Sequence, residues 1–368
     1  MKNFSLIFLI SLFFIFLINS FVVVTWSLHS KYKVKKHNYQ DEQIKVLNMS
    51  EENLNILYDE TWRNYDKFAY RPFTGHSETK RVGKYVNFDQ ENGRKVIRPV
   101  NCKSNIYLYG GSTMFGYNVT DETTIAQQLQ NLVGNQHCVF NHGRAYFYSK
   151  QENNLFTLHI ENNYKIDHAI FLDGVNERCG GYEYDRHINR SFQILVERPY
   201  KMWQKTFVDF VYTLPIAQLS NSLFSNSRWI GLNDENLAIE NRLVIDSCKN
   251  NISLAKLFEK RLNLRHSLCS EEQIKCYSFL QPFAGTHGKQ VKKYLENYKK
   301  NVLEKKYNSL KMVKKYVIDI GYVLSNSNEL AYIDELKKGD KVSYVDGTHY
   351  SPQSSSIIAE AMLPYILN

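Results

Sequence analysis

Short apolar runs alternate with longer amphipathic segments along the chain from residue 101 onward. The runs have the length and the β-branched and aromatic content of buried strands, and they occupy residues 106–109, 138–140, 168–172, 277–280 and 331–333. Strands that alternate with helices are typical of a parallel sheet covered by helices on both faces. The pattern therefore predicts an α/β fold: a three-layer α/β/α sandwich around a central parallel sheet of about five strands.

Three of the intervening helices carry end signals in the sequence. The segment 123–133 is followed by Gly134, a residue type that commonly ends helices in the left-handed conformation. Residues 149–152 read Ser-Lys-Gln-Glu, which is the capping-box spacing for the start of the next helix. Ser351 and Pro352 supply an N-cap and a first-turn proline for a C-terminal helix.

The first 30 residues follow a different pattern. Residues 3–30 contain no Lys, Arg, Asp or Glu, and residues 4–26 are almost entirely apolar. This stretch is long enough to cross a bilayer as a helix, and its end is a poor cleavage site. We therefore predict an uncleaved transmembrane signal-anchor at residues 1–30, with a cleaved secretory signal as the alternative. Residues 31–100 are predicted to form a juxtamembrane lead segment, and residues 101–368 the main domain, with an insertion at about 177–275.

The cysteines and the flanking charges give opposite indications of the compartment. Four lysines within residues 31–36 follow the apolar stretch, which by the positive-inside tendency would keep the main domain in the cytoplasm. Six cysteines without a CxxC motif are compatible with three disulfides in an exported domain, and six buried free thiols are the alternative. Cys102 and Cys138 precede neighbouring predicted strands, and Cys269 and Cys276 are close in sequence. We predict a single-pass membrane protein whose main domain is extracytoplasmic.

Much of the net charge of +9 comes from one part of the chain. Between residues 289 and 315, ten lysines are interleaved with apolar residues at helical spacing. This pattern predicts an amphipathic helix with a lysine-rich face in solvent. Contact of that face with anionic lipid or an acidic glycan is the alternative. No nucleic-acid-binding motif accompanies the lysines, so we expect no nucleic-acid partner.

A serine follows the first predicted strand in a glycine-rich turn, since Ser112 comes directly after Gly110 and Gly111. Near the C-terminus, Asp346 and His349 are three residues apart on a segment with the composition of a loop. A serine hydroxyl becomes a useful nucleophile when a histidine accepts its proton and an acid orients that histidine. These three residues therefore predict nucleophilic catalysis.

Other residues with catalytic chemistry have weaker support in the sequence. His142, His168 and His287 lack an acid at the D-x-x-H spacing, so we interpret them as structural histidines. Asp173 and Glu177 could form the carboxylate pair of a glycosidase, but we interpret Asp173 as support for its loop. No cluster of His, Cys, Asp and Glu has metal-ligand spacing, and we expect no metal and no cofactor.

Four short blocks of the sequence resemble those that define the SGNH hydrolases of the GDSL type. The family is named for a Ser, a Gly, an Asn and a His, one from each block, and all four occur here in that order. The blocks are Gly110-Gly111-Ser112 with Gly116, then Gly143, then Gly174-Val175-Asn176, and finally Asp346-Gly347-Thr348-His349. The resemblance covers about residues 101–182 and 276–368, and it implies the same α/β/α sandwich.

The resemblance implies a role for each matching residue. Ser112 matches the nucleophile, His349 the general base, and Asp346 the acid that orients His349. The oxyanion hole would comprise the backbone N–H groups of Ser112 and Gly143 and the side-chain amide of Asn176. At Gly143, a side chain would be expected to block approach of the acyl oxygen.

The first block departs from the family pattern at one position. Gly111 stands where the family has an aspartate, and because that aspartate is not a triad member, the change bears on loop support more than on chemistry. Met114 stands where the final glycine of G-x-S-x-G would be, which argues against the nucleophile elbow of α/β-hydrolases.

The function implied by the resemblance is a serine esterase that hydrolyses small acyl esters, with O-acetylated cell-surface glycans as candidate substrates. An O-acyltransferase with the same triad, in which a sugar hydroxyl replaces water as the acceptor, is one alternative. A non-catalytic binding protein, tethered to the membrane by its N-terminal helix, is another.

Overall fold

The structure, a computed structural model, describes residues 14, 17–18, 20–21, 47–61, 68–177, 251–284, 286–287, 297–325, 343–346 and 348–367. The chain divides into two units, one made of Met1–Asn38 with Arg186–Arg242 and the other of Tyr39–Asp185 with Leu243–Asn368. All elements described below belong to the second unit. Within the described ranges, none of the helices combines the length and apolar character needed to cross a bilayer. The predicted anchor at residues 1–30 lies almost entirely outside those ranges.

The strands of the described residues form one large sheet and one small one. They are β1 Phe68–Arg71, β2 Gly75–Glu78, β3 Arg81–Val82, β4 Asn87–Asp89, β5 Gly93–Arg94, β6 Ser104–Gly110, β7 His137–Asn141, β8 His168–Asp173, β9 Lys275–Leu280 and β10 Val317–Asp319. The large sheet has the order β10-β9-β8-β6-β7-β5-β4-β3, and β1 pairs only with β2. The neighbours from β10 to β7 are all parallel, and β5 is parallel to β7. The predicted α/β fold with a central, mostly parallel sheet is therefore confirmed.

Helices pack on both faces of this sheet. The described helices are α1 Glu51–Thr61, α2 Ser112–Phe115, α3 Ile125–Val133, α4 Ser149–Glu161, α5 Asn251–Glu271, α6 Asn297–Lys311, α7 Tyr322–Ser325 and α8 Pro352–Leu367. Successive strand residues point to opposite faces, and β6 shows the consequence. Ile106 and Leu108 are buried with residues of α3 and α8, whereas Tyr107 and Tyr109 are buried with residues of α4 and α5.

The residues predicted as a lead segment contribute strands β3, β4 and β5 to one edge of the sheet. Arg94 on β5 has a fully buried side chain. Its guanidinium donates to the carbonyl oxygens of Phe115 at 3.0 Å and Val119 at 2.6 Å, and also to that of Gly116. It forms an ion pair with Asp121 at 3.0 Å. Strand β5 thus holds the carbonyl end of α2, the helix that begins at Ser112.

A fifth parallel strand lies at a position that was not predicted from the sequence. It is β10, which pairs with β9, whereas the predicted strand at 331–333 lies outside the described residues. β10 has three residues and closely follows the lysine-rich helix α6, so its apolar run is too short to stand out in the sequence. On α6, Tyr307 and Leu310 are buried while Lys305 and Lys311 are exposed, as an amphipathic helix requires.

Two of the predicted helix signals hold and one does not. Gly134 follows α3 at the predicted end with a positive φ of 64°, although its ψ of −150° lies outside the left-handed helical region. The Ser351 hydroxyl accepts from the Ser354 N–H at the start of α8. The capping box at residues 149–152 is not formed. The N–H and the hydroxyl of Ser149 both donate to the Glu177 carboxylate, and Glu152 pairs with an arginine of α5 instead. A distant carboxylate therefore replaces the local cap.

Two disulfides link the cysteines that the sequence places near each other. Cys102 is bonded to Cys138, next to the start of β7, and Cys269 at the end of α5 is bonded to Cys276 on β9. Cys179 and Cys248 lie outside the described residues. The alternative of six free thiols is wrong for at least these four cysteines.

Candidate active site

The carboxyl ends of β6, β7 and β8 each lead into one of the sequence blocks. Ser112 begins α2 directly after Gly111, Gly143 follows the end of β7 by two residues, and Asn176 follows the end of β8 by three. Helix α2 is a single turn that ends at Gly116, whose φ of 88° is a left-handed conformation that favours glycine. Because parallel strands end at the same edge of a sheet, this arrangement brings the blocks together.

Ser112, His349 and Asp346 form a continuous chain of hydrogen bonds. The distance from Ser112 Oγ to His349 Nε2 is 2.9 Å, and that from His349 Nδ1 to Asp346 Oδ2 is 2.7 Å. With the imidazole hydrogen on Nδ1, this nitrogen donates to Asp346 and Nε2 accepts from the Ser112 hydroxyl. The exposed fraction of the residue is 9% for Ser112 and 6% for His349, so the reacting groups are largely shielded from water.

The carboxylate of Asp346 is held by donors on both oxygens. Oδ1 accepts from the backbone N–H groups of Thr348 at 2.7 Å and His349 at 2.8 Å. Oδ2 accepts from His349 Nδ1 and also from the Asn118 amide at 2.6 Å. Burial alone would raise the pKa of Asp346, but the interactions with His349 and the backbone N–H of Thr348 outweigh it, so this pKa lies below its ordinary value. Asp346 is therefore ionised at neutral pH.

Short backbone contacts hold the loop that carries the acid and the base. Tyr344 and Tyr350 form an antiparallel bridge, and the Val345 N–H donates to the His349 carbonyl at 2.9 Å. The Tyr350 hydroxyl donates to the Pro282 carbonyl just beyond β9, at 2.7 Å. The loop is thus closed on itself and tied to the sheet edge where the other blocks lie.

Within the described part of the chain, two of the three predicted oxyanion donors have an N–H hydrogen that meets no acceptor. The Ser112 N–H is in the first turn of α2, where helical N–H groups have no acceptor within the helix. The Asn176 Nδ2 donates one hydrogen to the Phe147 carbonyl at 2.9 Å and carries a second. The Gly143 N–H donates to Asn141 Oδ1 at 3.1 Å. Its part in an oxyanion hole stays a prediction that requires this bond to be exchanged.

The geometry gives a physical reason for Gly111, the departure from the family pattern. A Cβ at this position would lie 2.5 Å from the Asn176 Nδ2 and 3.1 Å from the Phe147 carbonyl oxygen. Any side chain at residue 111 would therefore displace the Asn176 amide. A glycine at position 111 is therefore what allows the first and third blocks to approach each other this closely.

The structure gives a packing reason for a glycine at position 143, in addition to the one predicted from the sequence. A Cβ there would lie 2.7 Å from the carbonyl carbon of Met114 and closer still to the Phe115 nitrogen. These are backbone atoms of α2, so a side chain would push away the helix that carries Ser112. The expectation that the glycine also clears a path for the acyl oxygen stays a prediction.

Asp173 and Glu177 are both engaged in ion pairs with arginines of α5. Asp173 accepts from both terminal nitrogens of Arg265, at 2.6 Å and 3.0 Å. Glu177 accepts from Arg261 at 2.9 Å and from Ser149. These bonds fix the loop between β8 and Asn176, in agreement with the interpretation of Asp173 as loop support. No sequence motif surrounds Arg261 or Arg265, so these ion pairs could not be predicted from the sequence. They form only because α5 packs on the sheet.

The three other histidines considered as a catalytic base, His142, His168 and His287, are buried and packed within the fold. His142 is fully buried against the Tyr107 ring, and burial lowers its pKa well below the ordinary value. The His287 Nδ1 accepts from the Phe283 N–H at 3.1 Å. His168 is a buried residue of β8, and burial lowers its pKa too. Tyr117, which the sequence did not single out, stacks on His349 with ring centres 5.7 Å apart.

A cavity of about 530 Å³ is lined by residues of the lead strands and the segment up to Val100. It contains none of the residues of the four blocks, so the acyl site is assigned to the triad and not to this cavity. In the described part of the chain, no three His, Cys, Asp or Glu side chains are grouped as metal ligands.

Comparison with known proteins finds distant structural likeness only. No protein-family model and no curated protein matches the sequence. A lipolytic protein of the G-D-S-L family from Desulfitobacterium hafniense DCB-2 is 12% identical with a TM-score of 0.36, over 71% of this chain and 99% of that one. Est24, a carbohydrate acetylesterase from Sinorhizobium meliloti, is 10% identical with a TM-score of 0.39, over 72% and 99%. The psychrotrophic esterase EstA from Pseudoalteromonas sp. is 10% identical with a TM-score of 0.33, over 72% and 97%.

Proposed function

We propose that this protein is an SGNH-type serine hydrolase that cleaves carboxylic esters through an acyl-enzyme on Ser112. The observation that carries the proposal is the hydrogen-bonded chain from Ser112 Oγ through His349 to Asp346. The likeness to solved structures is too distant to bear on function, so the argument rests on this geometry and on the four sequence blocks.

In the first half of the reaction, Ser112 Oγ attacks the ester carbonyl carbon and its proton passes to His349 Nε2. The ionised Asp346 stabilises the imidazolium that results. When the tetrahedral intermediate collapses, the bond to the leaving alkoxide breaks and His349 returns the proton to it as alcohol. In the second half, water gives a proton to His349 Nε2 and attacks the acyl carbon; when this second tetrahedral intermediate collapses, the bond to Ser112 Oγ breaks, His349 returns the proton to Oγ, and the acid is released.

The negative charge that develops on the carbonyl oxygen needs donors placed in advance. The Ser112 N–H and the second hydrogen of Asn176 Nδ2 are proposed to supply two of them, and the Gly143 N–H a third after its bond to Asn141 is exchanged. Removing one such donor typically costs about 2.7–4 kcal/mol of transition-state stabilisation. We therefore expect these donors to supply a large share of the rate enhancement over the uncatalysed reaction.

We propose small acyl groups, with acetyl esters of a glycan as the leading candidate, as the resemblance to the family implies. An acyl-chain-length series of p-nitrophenyl esters tests this with the wild type and Ser112→Ala. The proposal predicts turnover that falls steeply as the acyl chain lengthens and that disappears in Ser112→Ala. Turnover that rises with chain length would contradict the small acyl pocket.

An O-acyltransferase would use the same acyl-enzyme and differ only in the acceptor. Product analysis with and without a glycan acceptor separates the two reactions, because a transferase forms the new sugar ester at the expense of free acid. A binding protein without catalysis would give neither product, although the triad hydrogen bonds argue against it.

We also propose that the domain lies outside the cytoplasm, tethered by the apolar N-terminal stretch. The disulfides Cys102–Cys138 and Cys269–Cys276 support this, because disulfides persist mainly in oxidising compartments. Labelling with a membrane-impermeant thiol reagent after reduction of intact cells tests the placement. Thiols that are free without reduction and that react only after the cells are permeabilised would contradict it.

A further inference from the structure

Asn118 lies next to the triad although it belongs to none of the four sequence blocks. It follows α2, and its φ of 64° is in the left-handed region that Asn tolerates better than most residues. Its residue exposure is 9%, and its Nδ2 lies 2.6 Å from Asp346 Oδ2. This bond connects the segment of the nucleophile to the loop of the base across 228 residues of sequence.

The bond bears directly on how the Asp346 carboxylate faces His349. Backbone N–H groups fix Oδ1, whereas Oδ2 has two donors, His349 Nδ1 and Asn118 Nδ2. A carboxylate oxygen accepts two hydrogen bonds in fixed directions near its plane. With Asn118 in one direction, the other points at His349, so rotation of the carboxylate away from the imidazole is opposed.

We propose that Asn118 is a positioning residue of the triad, which orients Asp346 by donating to Oδ2. The inference rests on the proposed function, because it assigns to Asn118 a part in the same reaction. The contact that carries this role is the bond from Asn118 Nδ2 to Asp346 Oδ2. Asn118 acts through Asp346, which in turn sets the tautomer and direction of His349.

The same contact bears on modification of Asn118. Asn118-Val119-Thr120 is a glycosylation sequon, and a glycan would be attached to the Nδ2 that donates to Asp346. A side chain buried to this extent has no space for a sugar, and attachment would remove one of the two hydrogens on the nitrogen. The active protein therefore carries Asn118 unmodified.

Two variants and one matched control test the positioning role. Asn118→Gly keeps the left-handed backbone and removes the donor. Asn118→Asp keeps the shape but, at pH 8, places a second carboxylate against Asp346. The control is Asn163→Gly, since Asn163 has a φ of 59° and is exposed at the end of α4. This control carries the same entropic cost of glycine without any contact to the triad.

The proposal predicts a kcat about tenfold lower in Asn118→Gly and at least about a hundredfold lower in Asn118→Asp, with KM within about twofold in both. Asn163→Gly keeps both constants. If Asn118 only filled space, kcat would be higher in Asn118→Asp than in Asn118→Gly, because aspartate fills the same volume as asparagine and glycine does not. Equal kcat in the wild type and Asn118→Gly, or a higher kcat in Asn118→Asp than in Asn118→Gly, would overturn the proposal.

A spectroscopic measurement separates this inference from the proposed function. The hydrogen on His349 Nδ1, bonded to Asp346, is expected to give a downfield proton resonance that His349→Ala removes. The proposal predicts that Asn118→Gly weakens or shifts this resonance and that Asn163→Gly does not. If the wild type is inactive on every ester but the resonance responds to Asn118, the function fails and the positioning role stands. If the wild type is active and the resonance is unchanged in Asn118→Gly, the positioning role is refuted while the proposed function stands.

Discussion

At the scale of single residues, the site depends on how closely its sequence blocks approach one another. Gly111 and Asn176 belong to different strand ends, yet a Cβ on Gly111 would lie only 2.5 Å from the Asn176 amide nitrogen. The family aspartate at this position could be accommodated only if Asn176 moved. The glycine and the asparagine are thus a matched pair in this chain.

Gly111→Ala tests this pairing. Because the atom it would strike is the end of a flexible side chain, we expect the Asn176 amide to rotate away while the fold is kept. Loss of one oxyanion donor predicts a kcat lower by about 10²–10³-fold. Steady-state kinetics on p-nitrophenyl acetate, with thermal unfolding as the check on folding, would measure both effects.

The matched experiment for Gly111→Ala is a double-mutant cycle with Asn176→Ala. If both changes act by removing the same donor, the double variant loses no more activity than either single variant. Full kcat in Gly111→Ala, or independent losses that add, would show that Asn176 is not the donor displaced.

At the scale of elements, the short strands before residue 101 are structural parts of the site. Arg94 on β5 reaches the carbonyl end of α2 and pairs with Asp121, and all its donors are directed into the protein. Burial lowers the pKa of Arg94, with the charge of Asp121 acting in the opposite direction. A buried arginine of this kind holds the nucleophile helix in place at a cost in desolvation that its partners offset.

Arg94→Lys is expected to lower the free energy of unfolding by about 3 kcal/mol, because one ammonium cannot replace several directed guanidinium bonds. Activity should fall as well, since α2 begins with Ser112. Chemical denaturation monitored by circular dichroism measures the change. Arg71→Lys, at an exposed position on β1, is the matched control and should leave both quantities unchanged. A stable, fully active Arg94→Lys would refute this account of β5.

At the scale of the whole molecule, a polar layer is buried between the sheet and the helices α4 and α5. Arg265 pairs with both Asp173 and Glu152, so one guanidinium faces two carboxyl groups. Burial raises the pKa of Glu152 well above its ordinary value, and the charge of Asp173 adds to this while Arg265 opposes it. The folded protein therefore favours protonation of Glu152 more strongly than the unfolded chain does.

This protonation gives the fold a pH dependence with a definite sign. Above about pH 4.5, the ordinary pKa of glutamate, the unfolded chain loses the Glu152 proton while the folded chain retains it. Unfolding then releases a proton, so the contribution of Glu152 to the free energy of unfolding falls as pH rises toward the folded pKa. Glu152→Gln should remove this slope, so that the variant resembles the wild type below about pH 4.5 and becomes more stable than the wild type as the pH rises.

Asp173→Asn is the matched comparison in the same layer. Because it breaks the bidentate pair with Arg265, it should cost about 3–5 kcal/mol. Urea denaturation of both variants between pH 5 and 8 measures the slopes. A Glu152→Gln variant as damaged as Asp173→Asn would mean that Glu152 is ionised and paired.

The features that could be predicted from the sequence are those that depend on residues close together along the chain. Ser112 in its glycine turn and the Asp346–His349 spacing are local patterns, and so are the long apolar strands β6 and β8. Asn118, Arg94 and Arg265 could not be found in this way, because each acts on a partner that only the fold brings near. Strands of two or three residues, such as β3 and β10, leave no periodicity to detect.

The central claim is that Ser112 is a nucleophile activated by His349. Labelling with a fluorophosphonate probe, followed by peptide mass spectrometry, tests it most directly, with wild type, Ser112→Ala and His349→Ala compared. The account predicts a covalent adduct on Ser112 in the wild type, no adduct in Ser112→Ala and a strongly slowed reaction in His349→Ala. An unlabelled wild type, or labelling that persists in Ser112→Ala, would contradict it.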